Sequence, residues 1–282
     1  MLLQHIIDTI ESAAPLKWQE AWDNSGLQVG DRNADIQRAL LTIDLTEAVV
    51  NEAIDRHCDL IISHHPLLFH GLKQVTGQTP QARIVEQAIL HHIAIYSSHT
   101  AIDACLHGVS GRMAEKIGLS RFSVLSRRVA GDGIHSDEGL SVLSRQVTTD
   151  GSPSDDGFHG LGVIGNLPQP VRFTDLLERI KQVFHAPYLR YTEPTKDTVQ
   201  RLAICGGAGA EFIDEAIRQQ ADVYITADVK YHEFQNALGQ IAVIDLDHWV
   251  SEQFTRDIFA EILANQVETV ISTTDYSPIK IY

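Results

Sequence analysis

Apolar positions along the chain fall into short continuous runs separated by stretches with helical spacing. Leu2, Leu3, Ile6, Ile7 and Ile10 share one helical face, and that pattern ends near Pro15. Residues 39–43 read as a strand, 46–56 as a helix, 60–63 as a second strand, 81–91 as a second helix and 93–96 as a third strand. Runs this uniformly apolar suit strands buried on both faces. Their alternation with helices predicts the α/β class, with a mixed or largely parallel sheet flanked by helices.

The same layout returns later in the chain. Residues 38–65 lie on 201–228 without a gap, with 6 identities in 28 positions: Arg38/Arg201, Glu52/Glu215, Ala53/Ala216, Ile54/Ile217, Asp59/Asp222 and Ile62/Ile225. After a small gap, residues 93–96 resemble 241–244. Two similar α/β domains from an internal duplication are therefore expected. The expected division groups 1–128 with 240–282 as the first domain and leaves 129–239 as the second. Between the halves, residues 130–160 are rich in Gly, Ser and Asp and read as an exposed connection.

Composition narrows the function classes. Lys and Arg number 22 against 37 Asp and Glu, a net charge of −15. That balance works against a phosphate backbone as partner, and no basic cluster offsets it. Cys58, Cys105 and Cys205 are too few and too scattered for a disulfide framework, and no stretch approaches a membrane span. A cytoplasmic protein without a membrane partner is expected.

The chemistry gathers at strand ends. His64 and His65 close the run 59–63 and are followed by Pro66, which disfavours helix at His65. In open α/β sheets, ligands collect beyond the carboxyl ends of the strands. Past the third strand come His99 and Asp103, and past residues 241–244 come His248 and Glu252, spaced to share one helical face. A single histidine at a strand end is most often a polar cap, but three such tips together point to a metal site. The set His64, His65, Asp103, His248 and Glu252, with His99 nearby, exceeds one tetrahedral site. It suits two ions ~3.5–4 Å apart with a shared bridge. Nitrogen and oxygen donors without thiolate fit zinc, iron, manganese or nickel.

Other residues read more blandly. His91-His92 closes a helix, and the remaining histidines are expected to be solvated or packing residues. His232 follows the second-half counterpart of His64-His65 and is a candidate for supporting the site or touching substrate. Asn24 and Gln28 lie on a glycine-punctuated loop and could offer hydrogen bonds over the site. The run Gly206-Gly207-Ala208-Gly209 could cradle an anion at a helix start, although close packing is the favoured reading.

The segments Trp22-Asp23-Asn24-Ser25-Gly26-Leu27-Gln28, Ser63-His64-His65-Pro66-Leu67, Ser98-His99-Thr100-Ala101-Ile102-Asp103 and His248-Trp249-Val250-Ser251-Glu252 resemble motifs of the dinuclear-metal-centre hexameric proteins. That family is also catalogued as Nif-three-like proteins or GTP cyclohydrolase 1 type 2 homologues. The resemblance runs from the N-terminal helix to the tail Asp275-Tyr276-Ser277-Pro278. It implies two similar α/β domains, a toroidal homohexamer built as a trimer of dimers, and two divalent ions per chain held by His64, His65, Asp103, His248 and Glu252. Relatives often have Ala-Gly where this chain has Leu246-Asp247, so Asp247 could add negative charge beside the site.

Two functions from different classes follow. The first is a metal-dependent hydrolase using a metal-activated water, with His99 or Glu252 moving a proton and a small nucleotide-like molecule as substrate. The second is a non-enzymatic metal-binding ring serving as scaffold, metal store or regulatory partner.

Overall fold

The computed structural model describes residues 1–129 and 158–282, so most of the 130–160 connection lies outside the described residues. The first half runs α1 (Leu3–Ala13), β1 (Gly26–Val29), β2 (Arg38–Thr42), α2 (Glu47–Asp55), β3 (Leu60–Ser63), α3 (Pro80–Leu90), β4 (Ala94–Ser97), α4 (Thr100–Asp103) and α5 (Val109–Ile117). The chain continues through β5 (Phe122–Val129), β6 (Phe158–Arg172), α6 (Phe173–Phe184), β7 (Arg190–Tyr191), β8 (Thr198–Ala208) and α7 (Ile213–Arg218). It ends with β9 (Val223–Ala227), α8 (Tyr231–Ala237), β10 (Ala242–Leu246), α9 (His248–Glu252), α10 (Thr255–Ile262) and β11 (Glu268–Ile271).

These elements form two mixed sheets flanked by helices. The first has the order β1-β4-β3-β2-β11, antiparallel only at β1. The second has the order β5-β6-β8-β9-β10-β7, parallel through β8, β9 and β10. Residues 242–246, grouped with the first domain on sequence, thus pair in the second sheet, whereas β11 returns to the first. The reason is that β10 completes a second βαβαβ unit against β9, as β4 does against β3.

Strand alternation explains the layers. Ala39, Leu41, Leu60, Ile62 and Tyr96 pack with α1 and α10, while Leu40, Ile61 and Ile95 pack with α2 and α3. In the second sheet Ile225 and Ile244 face α6, while Tyr224 and Val243 face α7. Helix starts are fixed locally: the Thr46 hydroxyl accepts from the Val49 amide, and Thr79 does so from Ala82 ahead of Pro80.

The duplication reaches individual hydrogen bonds. The Asp59 carboxylate accepts the Gln37 and Arg38 amides, and its counterpart Asp222 accepts those of Gln200 and Arg201. The Arg38 guanidinium donates to the Arg56 carbonyl and that of Arg201 to the matching Gln219 carbonyl. His57 and Gln220, also in register, both take the left-handed conformation. Repetition of such specific geometry is hard to obtain except from a common ancestor of the two halves.

A buried carboxylate ties the C-terminal segment to α2. Glu52 accepts from the Ser272, Thr273 and Thr274 hydroxyls, from the Thr273 and Thr274 amides, and from Arg56. Burial alone would raise its pKa, but these donors hold it well below the ordinary 4.5. Its stabilisation is therefore fully present above about pH 4.5 and drains away as pH falls below that value. Glu52→Ala is expected to destabilise the protein by about 3 kcal/mol at neutral pH. Urea melts of both proteins should converge as the buffer is taken from pH 7 toward pH 3.

Candidate metal centre

The carboxyl ends of β3 and β4 in the first sheet, and of β10 in the second, meet at one point. After β3 the backbone stays on the ladder for two more residues, the His64 amide donating to the Thr42 carbonyl and that of His65 to Ile43. The two rings end 5.0 Å apart at an angle of 42°, so these neighbours both address the same centre. Ser63 and Ser97, small and hydrogen-bonded at 2.8 Å, let the strand ends approach.

Each imidazole is held through Nδ1. His64 Nδ1 lies 3.1 Å from the Ser98 carbonyl, and His65 Nδ1 lies 2.8 Å from Asp44 Oδ1. His99 Nδ1 lies 2.9 Å from Asp23 Oδ1, and His248 Nδ1 lies 2.7 Å from Asp228 Oδ2. Acceptors on every Nδ1 aim the Nε2 lone pairs inward, the arrangement seen around ligating histidines generally. His65 and His248 bring their Nε2 atoms within 3.4 Å of each other. Glu252 Oε2 lies 3.0 Å from His65 Nε2 and 3.2 Å from His248 Nε2, and Glu252 Oε1 lies 3.5 Å from His64 Nε2. Asp103 Oδ1 stands 3.7 Å from His64 Nε2.

His64 Nε2, Asp103 Oδ1 and Glu252 Oε2 are buried with no aligned hydrogen-bond partner among the described residues. Orphaned buried polar atoms are costly. Each of these atoms belongs to the cluster, and a bound cation would satisfy it. Two groups have donor atoms close enough to hold one: His64, His65 and His99, and His65, His248 and Glu252. His65 belongs to both.

The electrostatics point the same way. Burial pushes His64 below the ordinary imidazole value. Burial opposes but does not prevent the upward shift of His65, which Glu252 and Asp44 drive, or that of His248, which Glu252 and Asp228 raise to about 9. Burial and the Glu252 charge lift Asp103 well above the carboxylate range. Glu252 itself stays well below that range despite burial, because His64 and His65 face it. Two carboxylates in one dry pocket compete for the same positive charge.

The elements that place these side chains are pinned. Asp247 accepts the Val250 amide as the N-cap of α9 and also takes the Ser277 hydroxyl, so it orients the helix carrying His248 and Glu252. Gly207 donates its amide to the Ser251 hydroxyl, and its φ of +66° turns the chain under Glu252. A Cβ there would collide with Glu252 Oε1. The glycine run thus serves close packing, the reading favoured from sequence.

The expected residues sort as follows. His64, His65, His99, Asp103, His248 and Glu252 come together. His232 does not join them: it is exposed on the first turn of α8, its ring against Tyr231. Asn24 lies on the loop as expected, but Gln28 lies in β1, which pairs along β4; Asn24 Nδ2 donates to the Leu68 carbonyl and Gln28 Oε1 accepts the Leu68 amide. Sequence reasoning missed Asp23, Asp44 and Asp228 as partners of imidazoles. Only Asp228 carried a signal, since the duplication lays it on His65.

A cleft of about 440 Å³ opens beside the cluster, lined by Asp44, Thr46, Glu47, His65, Leu67 and Ile84. The second half repeats it at matching positions as a cleft of about 450 Å³ bounded by Ala208, Glu211, Asp228, Lys230 and Glu233.

Comparison with known proteins agrees with this architecture. A Streptococcus pneumoniae protein named GTP cyclohydrolase 1 type 2 homolog is 32% identical over 265 residues, covering 92% of this chain and 89% of its own length. A Campylobacter jejuni protein of the same name is 28% identical, with all of both chains covered. The crystal structure of a Bacillus cereus protein related to NIF3 superposes with a TM-score of 0.82 at 24% identity, covering 100% of this chain and 99% of that one. Residues 1–278 match the Duf34/NIF3 (NGG1p interacting factor 3) family, and the chain belongs to it.

Proposed function

We propose that this protein is a metal-dependent hydrolase with a dinuclear centre held by His64, His65, Asp103, His248 and Glu252. The observation that carries this reading is the convergence of the Nδ1-anchored His64, His65 and His248 on the buried Glu252 carboxylate, with the half-buried Asp103 3.7 Å from His64 Nε2. The thiolate-free donor set suits zinc, iron, manganese or nickel. Divalent ions bound there would lower the pKa of a water toward neutrality and polarise the scissile group. His99, held by Asp23, presents its second nitrogen to the same centre and is placed to carry a proton to a leaving group. Glu252, at the middle of the cluster, is the second candidate for moving a proton. The name carried by the Streptococcus and Campylobacter relatives makes hydrolytic opening of a heterocyclic ring the first reaction class to test.

The deciding experiment is metal analysis of protein purified without added metal, followed by turnover assays with the ion found. About two ions per chain and ion-dependent hydrolysis are expected. Stoichiometric metal with no hydrolysis of any nucleotide, ester or amide would favour the scaffold or metal store instead. Asp228→Ala and Asp44→Ala should each weaken metal binding about 10- to 100-fold, read by competition with a chelating dye.

We propose further that the protein is cytoplasmic and assembles as a homohexamer, a trimer of dimers. Tyr276, Ile279 and Ile281 near the C-terminus are exposed apolar side chains that such contacts would cover. Among the described residues no helix is long and apolar enough to cross a membrane. Light scattering should give six times the 31.3 kDa chain mass.

A further inference from the structure

Two large aromatic rings stand exposed beside the cluster. Trp22 is 58% exposed and Phe69 40%, and their ring centroids are 5.7 Å apart. Trp22 lies 5.8 Å from the His99 ring and Phe69 6.4 Å, both edge-on. His99 in turn lies 5.3 Å from both His64 and His65. An aromatic surface therefore runs without a break from solvent to the proposed metal ligands.

The rings come from two separate loops, and hydrogen bonds stitch those loops together. The Asn24 side chain donates to the Leu68 carbonyl at 2.6 Å, the Leu68 amide to Gln28 Oε1 at 3.0 Å, and Gln28 Nε2 to the Asn24 carbonyl at 2.7 Å. Asp23, between Trp22 and Asn24, is anchored by His99 and by the Thr100 amide and hydroxyl. These bonds fix the loops without burying the rings. Exposed rings held in this way present a flat apolar face on which another planar ring can stack.

Charge selects the kind of ligand. The cleft beside His65 is lined by Asp44, which faces His65, and by Glu47, which is paired with Arg83, and among the described residues no Lys or Arg lines it. Its second-half counterpart sets Glu211, Asp214, Asp228 and Glu233 against Lys230 alone. Beyond the reach of ions bound at the cluster, the clefts are lined by more carboxylates than cations, whereas a neutral planar ring would meet Trp22 and Phe69.

We propose that Trp22 and Phe69 form the wall that holds a neutral, planar heteroaromatic ring of the substrate beside His99. The proposal rests on the hydrolase reading for its location. It deepens that reading by naming the substrate class and two residues that set specificity.

The test is titration of the metal-loaded protein with guanosine, adenosine, uridine and nicotinamide as ring probes, and with inorganic tripolyphosphate as the charge without a ring. Tryptophan fluorescence is the readout, and metal content is measured on the same samples. At least one ring probe should quench saturably. Phe69→Leu, read by fluorescence, and Trp22→Leu, read by equilibrium dialysis because it removes the reporter, should each weaken binding about 5- to 100-fold, the range of one lost stacking contact. Both side chains are exposed, so thermal melts of the variants should match wild type and exclude misfolding. Ring-dependent quenching in protein that cannot hold metal would sink the hydrolase reading and leave the wall standing. Full metal occupancy with no saturable ring binding, or ring binding indifferent to both substitutions, would overturn the wall.

Discussion

Replacing Glu252 by Gln is expected to leave the fold intact and remove the protein's thermal response to metal. The amide keeps the volume of a side chain that is 3% exposed, yet loses the charge facing His64, His65 and His248. A ligand present at a hundredfold over its dissociation constant stabilises by about 2.7 kcal/mol. For a chain of this size that is a rise in melting temperature of about 5–10 °C. Differential scanning calorimetry of wild type with and without the native ion should show that rise. The Glu252→Gln melt should be flat, with metal content near background. An undiminished shift in the variant would remove Glu252 from the ligand set and leave the carboxylate role to Asp103.

Gly207→Ala should be nearly as damaging to metal binding and considerably worse for stability. Two effects add. A left-handed φ costs a residue with a Cβ about 1–2 kcal/mol. The added methyl also meets Glu252 Oε1, which sits in a pocket that cannot give way cheaply. A total near 3 kcal/mol is expected, together with displacement of the carboxylate and loss of metal. Gly239→Ala supplies the control, because Gly239 has a φ of +77° and nothing within 4 Å of the position a Cβ would take. That variant should lose only the backbone contribution and keep its full metal content. Equal behaviour of the two in chemical denaturation and metal analysis would refute the steric account.

The βαβαβ unit of the first half was legible in the sequence to within a residue or so, whereas β1, α4, α5 and β5 were not. β3 is buried on both faces and α2 and α3 start at threonine caps, so apolar runs and punctuation both survive in the one-dimensional pattern. β6 was not legible. It is long, antiparallel and interrupted between Asn166 and Val171, so it carries no single period. The misplacement of residues 242–246 had a different cause. The ligands that follow β10 belong with those of the first half, while the match of β10 with residues 93–96 places the strand itself beside β9. Among site residues, the imidazoles and carboxylates at strand ends were legible because their chemistry is unusual there. Asp23 and Asp44 were not, since an aspartate beyond a strand looks the same whether or not a histidine distant in sequence leans on it. Asp247, Asn24 and Gln28 were noticed for chemistry and proved to be construction. Asp247 caps a helix, and the amides bind one loop to another.

The repeated halves have a further implication. A symmetric pair of identical subunits must carry the same residue at both copies of a position, so a substitution useful in one copy is imposed on the other. Joining the copies in one polypeptide lifts that constraint. Residue 65 is histidine and faces the cluster, while residue 228, in register with it, is aspartate and steadies His248 from behind. In the same way Asp44 steadies His65, and its counterpart Gly207 leaves room for Glu252. One ancestral position has thus acquired two trades, and an asymmetric centre is available to a chain whose halves repeat one βαβαβ plan.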